Sequence, residues 1–529
     1  MRTNEVGELV GALEAGAMSR RQFVTRAAGL GVSSSLIGSI LAATPVGAAV
    51  AAAATPKRGG TAQIALAAPS QKASLDPIKM ASDPEQFMCG LLYDPIVNVD
   101  ETTWQIKPGL AETWEIKNGA REWIFNLRKG VKFHNGKPLT AADVVYTIKR
   151  HLSSGQASPL FARLTASMSP SGVTAIDDHT VHLKLSRPDA YMGVALSYQW
   201  AGIVPAGFTD QGVGTGPFRV KSWQPGVGFD MVKNAGYWMP GLPYLDVVRA
   251  IVINDPTAKL QSVVAGQSDV SNYIEPSSAS TVTGGGAKLL HAPNQAFQPI
   301  VFPRGTPPFN NPLVIQALKL AVNRQQIVEI GLDGNGSVVP DVPVSPSDPA
   351  FPKGLSTAQN IAGAKALLKR AGFPNGISFT LATSDAVSHL VNIAVVFAQS
   401  VAPAGIKVNV QKAPVQTYFD QYFLGKRPFV DWWNREQVLD IAALLYREGA
   451  PFNETKTASA AMDNQLDKAE GVTNPAAANG QFADAMKILS TAGNQVIAAF
   501  STELIAAKKN FYASPSTRYI VDFRTAYFS

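Results

Sequence analysis

The segment "FNLRKGVKFHNGKPLTAADVVYTIKR", residues 125–150, gathers a histidine, two asparagines, one acidic residue and several basic residues into one window. Apolar residues at alternating positions predict a half-buried strand, which ends at the Asn-Gly turn of residues 135–136. Thr140 and Asp143 then have the spacing of an N-terminal capping box, and apolar residues at helical spacing follow. We therefore expect His134 and its polar neighbours to shape the chain rather than to perform chemistry.

The length and composition of the chain indicate a soluble globular protein of two or three domains. It has 529 residues, of which 46% are hydrophobic and 16% are charged. A chain of this length exceeds the size of a single compact core. The formal net charge is +7, but the basic residues are scattered and form no run that would follow a phosphate backbone. We expect no nucleic-acid partner.

Motifs for metal binding and catalysis are missing from the mature sequence. The single cysteine, Cys89, offers no zinc-binding spacing, and the six histidines are scattered. The glycine turn "GTGPF" (214–218) has no following helix placed to cradle a phosphate. Neither G-x-S-x-G nor H-E-x-x-H occurs after the first 54 residues. We therefore expect no catalytic residues, no metal site and no cofactor.

The N-terminus has the pattern of an export signal. Two arginines stand in "SRRQFV" (19–24), and a mild apolar stretch at 27–43 follows them. Glycines and serines interrupt this stretch too often for a stable membrane span. The pattern resembles a bacterial twin-arginine signal, which predicts a periplasmic protein.

Small residues after the apolar stretch offer sites for signal cleavage. We predict cleavage between about Ala49 and Ala54, so that residues 1–54 form the signal peptide. No cysteine lies near this region, so we expect no lipid anchor. Translation starts at Met1 or at Met18, and the sequence leaves both open.

The remaining sequence alternates predicted strands and helices, which favours α/β or α+β lobes over a barrel or a bundle. Residues 312–331 have apolar residues at three- and four-residue steps and are expected to form one long helix. The last residues, 508–528, alternate weakly and are expected to form terminal strands. No internal repeat of fixed period is present.

Several motifs in a fixed order identify a family resemblance. "PGLAETWEI" (108–116), followed by the segment at 125–150, resembles the signature region of the extracytoplasmic solute-binding protein family 5. This family comprises the peptide-, nickel- and opine-binding proteins that feed ABC importers. Further matching stretches, among them "NAGYW" (234–238) and "LQSVVAGQSDV" (260–270), continue in family order from about residue 60 to 520.

The resemblance implies an α/β fold of the periplasmic-binding-protein-like class C type. Two hinged lobes with an extra domain would enclose the ligand between the lobes. We predict the following division: lobe I, residues 57–97, 212–300 and 505–529; the extra domain, residues 98–211; and lobe II, residues 301–504.

The resemblance also implies a function. A periplasmic receptor of this kind would capture an oligopeptide or a related amino-acid or sugar conjugate and deliver it to a membrane ABC permease, without chemistry. We expect a monomer. A receptor for a metal or metallophore is the first alternative, and an exported hydrolase is the second.

The ligand-binding region of the family corresponds to "DWWNREQVLD" (431–440). We expect Trp432 or Trp433 to stack on the ligand and Asn434 to form hydrogen bonds. The planar fork of Arg435 suits a carboxylate or phosphate, and Asp440 is a candidate for a ligand ammonium.

The same region also allows structural roles. The family's usual Asp-Pro is replaced here by Asp440-Ile441, which weakens a peptide assignment. One tryptophan could belong to the core, and Arg435 could pair with Glu436 or Asp440. Tyr93, Tyr198, Trp200 and Phe297 are further candidates for ligand contact or for core positions.

Overall fold

A computed structural model describes residues 56–529 except for 68–73, 81–82, 157, 210, 386, 388 and 517–519. The predicted signal peptide, residues 1–54, lies outside the described residues. Residues 58–527 form one compact unit, which the following paragraphs concern. Outside that unit, Lys57 forms a β-bridge with Phe528.

The α-helices are α1 (Asp83–Leu92), α2 (Ala141–His151), α3 (Phe161–Thr165), α4 (Met192–Ala195), α5 (Pro256–Val264), α6 (Ala279–Gly284), α7 (Pro312–Ala321), α8 (Arg324–Gln326), α9 (Ile361–Arg370), α10 (Leu390–Val401), α11 (Val415–Gln421), α12 (Val438–Leu445), α13 (Ala460–Glu470) and α14 (Pro475–Ala492).

The strands are β1 (Thr61–Leu66), β2 (Val97–Val99), β3 (Ile106–Pro108), β4 (Ala111–Lys117), β5 (Glu122–Leu127), β6 (Met168–Asp177), β7 (Thr180–Leu185), β8 (Phe218–Gln224), β9 (Gly228–Lys233), β10 (Val247–Val252), β11 (Val270–Ile274), β12 (Lys288–Val301), β13 (Gly336–Val338), β14 (Ile377–Thr383), β15 (Ile406–Lys412), β16 (Phe429–Val430), β17 (Trp433–Asn434), β18 (Gln495–Ala507), β19 (Phe511–Ser516) and β20 (Ile520–Phe528).

One large mixed sheet runs through both predicted lobes. Its strand order is β15-β14-β16-β12-β18-β11-β1-β10-β9-β8. The long antiparallel strands β12 and β18 join its two halves, since β11 pairs with the Leu504–Ala507 end of β18 and β16 pairs with the opposite end of β12. The β12–β18 pairing is interrupted between Ala292 and Ala296. This ribbon is the backbone link between the halves of the sheet.

The segment at 125–150 folds as its pattern predicts. It contains β5, a turn at Gly136 with a φ of 84°, and helix α2. The Asp143 carboxylate accepts hydrogen bonds from the backbone N–H and the hydroxyl of Thr140, at 2.9 Å each. The predicted capping box is confirmed. His134 is bonded through its Nε2 to the carbonyl of Gly216 at 3.0 Å, a contact within the fold.

A separate four-stranded antiparallel sheet, with the order β4-β5-β7-β6, lies within the predicted extra domain. Its inner face and α2 enclose a hydrophobic core that includes Trp123, Phe125 and Val144. Two further cores flank the lobe II half of the large sheet: one lies beneath α7, α9 and α10, and the other beneath α12, α13 and α14. The boundaries of the lobes stay a prediction.

The prediction of one long helix at 312–331 is wrong. Helix α7 ends at Ala321, and α8 begins after Asn323, whose side chain accepts a hydrogen bond from the backbone N–H of Gln326. Residues Ile327–Gly331 continue as a π-helix. The apolar periodicity continued through the break, but the asparagine cap stops the backbone hydrogen bonding of α7 and starts a new helix.

The predicted terminal strands are β19 and β20, which form a two-stranded sheet of their own. Among the described residues, no helix combines the length and the apolar character needed to cross a membrane.

Candidate functional site

The parallel strands of the large sheet define two carboxyl-terminal edges. In the lobe I half, β10 and β11 run parallel to β1. In the lobe II half, β15 and β16 run parallel to β14. Ligands of open α/β sheets bind beyond such edges, because loops and helix N-termini converge there.

Two titratable residues lie just beyond these edges. Glu275 follows β11 directly, and His389 caps the N-terminus of α10, shortly after β14. Burial lowers the pKa of His389, and the carboxylates of Glu275 and Asp333 partly oppose that effect.

The predicted ligand segment, residues 431–440, lies along the interrupted part of the β12–β18 ribbon. In β17, Trp433 pairs with Phe297 and Asn434 pairs with Ala296. The backbone N–H of Arg435 donates to the carbonyl of Gln295 at 2.7 Å. This pairing places the segment beside the link between the two halves of the sheet.

Arg435 is buried and contacts residues of the predicted extra domain. Its Nη2 lies 3.1 Å from the carbonyl oxygen of Thr102 and 3.4 Å from Oδ2 of Asp348. Its guanidinium carbon lies 5.1 Å from the centre of the Trp104 ring. Among the described residues, no acceptor is bonded to the buried Nε of Arg435. The guanidinium therefore has hydrogen-bonding capacity that the protein does not use.

The neighbouring tryptophans are half-buried and differ in their contacts. Trp433 donates from Nε1 to Oε1 of Glu454 at 3.0 Å, and its ring lies 5.4 Å from that of Phe452. The Trp432 ring lies 6.1 Å from that of Phe419, and Asn434 is exposed. Both tryptophans therefore combine a packed side with an accessible side, as a ligand-stacking residue requires.

A buried carboxyl pair lies beneath these rings. Burial raises the pKa of Asp431 and raises that of Glu454 well above its ordinary value, and the proximity of the two groups adds to the rise for Glu454. The pair therefore favours a protonated state over two negative charges.

Asp440 lies in a second cluster, which Tyr198 and Trp200 also join. Arg163 donates from Nε to Oδ1 of Asp440 at 2.9 Å, and the Tyr198 hydroxyl donates to Oδ2 at 3.0 Å. The Tyr198 and Trp200 rings stack with centroids 5.7 Å apart. These residues line a small cavity of about 30 Å³, together with Arg163. Both oxygens of Asp440 thus have partners within the protein.

Arg163, in the predicted extra domain, contacts three carboxylates, of which two lie in predicted lobe II. It contacts Asp189 at 2.6 Å, Asp440 at 2.9 Å and Glu470 at 3.4 Å. Asp189 lies in the predicted extra domain, and the other two lie in predicted lobe II. The backbone N–H of Ala190 also donates to the carbonyl of Glu470 at 2.7 Å.

Tyr93 and Phe297 occupy interior positions. The Tyr93 hydroxyl donates to the carbonyl of Leu75 at 2.8 Å, and its ring meets Phe208 edge-on. Phe297 is fully buried and packs on Phe500, with ring centroids 5.3 Å apart.

Sequence reasoning missed three residues that the fold brings to these clusters: Arg163, Trp104 and Asp348. Their partners are distant in sequence, with 277 positions between Arg163 and Asp440 and 244 between Trp104 and Asp348. The local sequence around each is unremarkable, so no pattern in this one chain pointed to them. Among the described residues, no group of three or more His, Cys, Asp or Glu side chains is arranged to hold a metal ion.

Comparison with known families decides the class of protein. Residues 105–493 match the family described as bacterial extracellular solute-binding proteins, family 5 Middle. The chain belongs to this family. The extracytoplasmic solute-binding protein predicted from the sequence is confirmed, and so is the function of a receptor that binds a solute for an ABC importer.

Individual relatives agree with the family assignment. The glutathione-binding protein GsiB of Escherichia coli O1:K1 (APEC) is 28% identical to this solute-binding protein over 362 residues, which cover 66% of this chain and 69% of GsiB. The members of the family are binding proteins, and relatives carry periplasmic names, such as the peptide transport periplasmic protein SapA of Salmonella typhimurium.

Solved structures show the same fold. The ABC transporter-associated periplasmic binding protein DppA of Helicobacter pylori, solved with the peptide STSA, has a TM-score of 0.76 at 21% identity, covering 89% of this chain and 98% of DppA. The binding protein AgaA of A. tumefacien R10, solved with agropinic acid, has a TM-score of 0.76 at 23% identity, covering 89% and 99%. The predicted periplasmic-binding-protein fold is confirmed.

Proposed function

We propose that this solute-binding protein captures a small acidic solute, such as an oligopeptide or an amino-acid conjugate, with Arg435 holding an anionic group. The site lies where the segment at 431–440 meets the extra domain and the β12–β18 ribbon. Binding would stabilise the closed arrangement of the two predicted lobes, and the closed receptor would then deliver the solute to its ABC permease without chemistry.

The unused hydrogen-bonding capacity of Arg435 carries this proposal. Its only carboxylate contact among the described residues is Asp348, at 3.4 Å. A buried guanidinium with so weak a partner favours a carboxylate or phosphate that accepts two parallel hydrogen bonds. Trp432 and Trp433 offer stacking surfaces close by in the sequence, and exposed Asn434 offers an amide.

The ligands of similar proteins belong to a compatible class. GsiB is named for glutathione, and AgaA was solved with agropinic acid. Both are small acidic solutes, which suit a guanidinium. We extend this class to the present chain as a proposal that rests on Arg435.

We further propose export through the twin-arginine motif, with cleavage between about Ala49 and Ala54. N-terminal sequencing of the secreted chain tests this proposal. A mature protein that begins far from this window contradicts it.

Replacing Arg435 tests the proposed site. The mature protein is screened by thermal shift against glutathione, short peptides and opine-type acids, and the best solute is titrated by calorimetry. We expect Arg435→Ala to weaken its binding by about 1.5–3 kcal/mol, the range for a hydrogen bond to a charged group. Arg435→Lys keeps the charge but not the planar fork. Its affinity for the solute should fall between that of the wild type and that of Arg435→Ala. Unchanged affinity in both variants removes Arg435 from the site.

Asp440→Asn is the matched comparison, because Asp440 was also predicted to bind the ligand. If its contacts with Arg163 and Tyr198 are its whole role, the substitution lowers stability and leaves the affinity of the folded protein unchanged. A selective loss of affinity for solutes with a free ammonium group assigns Asp440 to the ligand instead.

Incubation with candidate esters and peptides should show no turnover, and turnover that a point mutation abolishes would contradict a purely binding function.

A further inference from the structure

A cavity of about 290 Å³ lies between the predicted extra domain and predicted lobe II. The extra domain contributes the rings of Trp104, Trp114, Trp123 and Tyr191, and lobe II contributes Gln437, among other residues. The volume is close to the lower end of the range for small-ligand pockets, about 300 Å³. Because its walls come from two parts of the chain, the size of the cavity depends on the distance between those parts.

The tryptophan walls are apolar towards a ligand because their polar atoms are already bonded. Trp104 donates from Nε1 to Oδ2 of Asp348 at 2.5 Å, and Trp123 donates to the carbonyl of Asp189 at 2.8 Å. The Trp104 indole therefore presents carbon atoms to the cavity, whereas the Trp123 ring is fully buried. Flat aromatic walls of this kind favour a ring or another bulky apolar group, through burial and stacking.

A few neutral polar groups are available to orient such a ring. Gln437 uses its side-chain oxygen to cap the backbone N–H of Leu439 at 2.6 Å, which leaves its NH₂ group as a donor. Tyr191 and Asn479 line the same cavity. The only charged lining group, Asp348, is compensated by Arg435, by Trp104 and by the backbone N–H of Ala350. The cavity thus favours a neutral group with one or two hydrogen-bonding atoms.

Trp104 ties this cavity to the proposed anion site. Its backbone has a φ of 58°, a left-handed conformation that is unfavourable for a bulky residue. Its indole Nε1 donates a hydrogen bond to Asp348, and the guanidinium of Arg435 lies over the indole ring. Trp104 and Asp348 therefore both line the cavity and contact Arg435.

We propose that this cavity is a side pocket of the solute site that takes a neutral aromatic or cyclic apolar group of the bound solute. This inference rests on the proposed function, because it extends the site at Arg435. It narrows the solute class to acidic conjugates or peptides that carry such a group.

Two pairs of probes test the pocket: the peptides Ala-Trp-Ala and Ala-Ala-Ala, and the fragments indole-3-acetamide and acetamide. The mature wild-type protein is compared by calorimetry with Val194→Phe, which enlarges a lining residue and fills the cavity. Ala371→Phe is the control, because Ala371 lines a different depression beside Pro307 and Pro312. Tyr191→Phe removes only a hydroxyl, and it is the second test variant if Val194→Phe does not fold.

We expect Ala-Trp-Ala to bind at least tenfold more tightly than Ala-Ala-Ala in the wild type and in Ala371→Phe. Val194→Phe should abolish this difference while leaving the affinity for Ala-Ala-Ala within twofold. Tyr191→Phe should lower the affinity for indole-3-acetamide severalfold and leave that for acetamide unchanged.

The outcomes separate the pocket from the function. Equal binding of the two peptides, or a preference for tryptophan that survives Val194→Phe, overturns the pocket and leaves the receptor function intact. Binding of indole-3-acetamide alone, lost in Val194→Phe, supports the pocket and contradicts the peptide class. No binding of any probe overturns the pocket.

Discussion

Two buried arginines lie where the predicted extra domain meets predicted lobe II, and their surroundings differ. Arg163 has three carboxylates within 3.4 Å, from Asp189, Asp440 and Glu470. Arg435 has one carboxylate at 3.4 Å, one backbone carbonyl and an indole ring. The Arg163 guanidinium finds its partners within the fold, whereas the Nε of Arg435 has no bonded acceptor among the described residues, which supports the proposal that Arg435 binds the solute.

The largest effect should come from Arg163. Arg163→Met leaves buried carboxylates without their cation, and we expect it to lower the free energy of unfolding by about 3–5 kcal/mol. Urea unfolding of the mature protein measures this loss. Arg249→Met is the control, since that side chain is 47% exposed and its ion pair with Asp230 should contribute at most about 1 kcal/mol. Equal losses in the two variants would remove the distinction between Arg163 and an ordinary surface arginine.

The pH dependence of the Arg163 cluster should depend on Glu470. Burial raises the pKa of Glu470 to about 7, and Asp189 adds to the rise, while Arg163, Arg187 and Arg447 oppose it. The folded chain then holds this proton more tightly than the unfolded chain does. This contribution to stability is fully present below about pH 4.5 and is lost as the pH rises through 7.

Glu470→Gln removes that titration. Between pH 4.5 and 8, we expect the free energy of unfolding of the wild type to fall by up to about 3 kcal/mol more than that of the variant. Urea unfolding across this pH range measures the difference. Parallel stability curves for the two proteins would show that the arginines keep Glu470 ionised throughout.

The smallest effect on stability should come from Trp104, which contacts Arg435. Trp104→Phe removes the indole N–H that bonds Asp348, and we expect a loss of about 1–3 kcal/mol in the free energy of unfolding. Trp114→Phe is the matched control, because Trp114 lines the same cavity and is only half-buried. A loss in Trp104→Phe as large as that in Arg163→Met would mean that the Arg435 cluster is also a structural connection.

Local features of the fold were predictable where neighbours in sequence decide them. The strand, the turn and the capped helix of residues 125–150 follow from alternation, an Asn-Gly pair and the Thr140–Asp143 spacing. The same reasoning failed at 312–331, because apolar periodicity continued across Asn323 while its side chain capped a new helix.

The candidate site was predictable only in part. The sequence pointed to the segment at 431–440 and to its aromatic and charged residues. It offered Glu436 or Asp440 as alternative partners for Arg435, whereas the fold places Asp348 and Trp104 beside it. No periodicity connects residues that are 87 positions apart, as Arg435 and Asp348 are.

The sequence by itself determined the family, the mixed α/β class and the local elements, because these depend on the order and spacing of residues along the chain. Only the tertiary structure decided which charges meet. Arg163 lies in α3 with no notable neighbour in sequence, yet it gathers carboxylates from two parts of the chain. Burial makes such a meeting consequential, since a charge without water must find its partners within the fold or in a ligand.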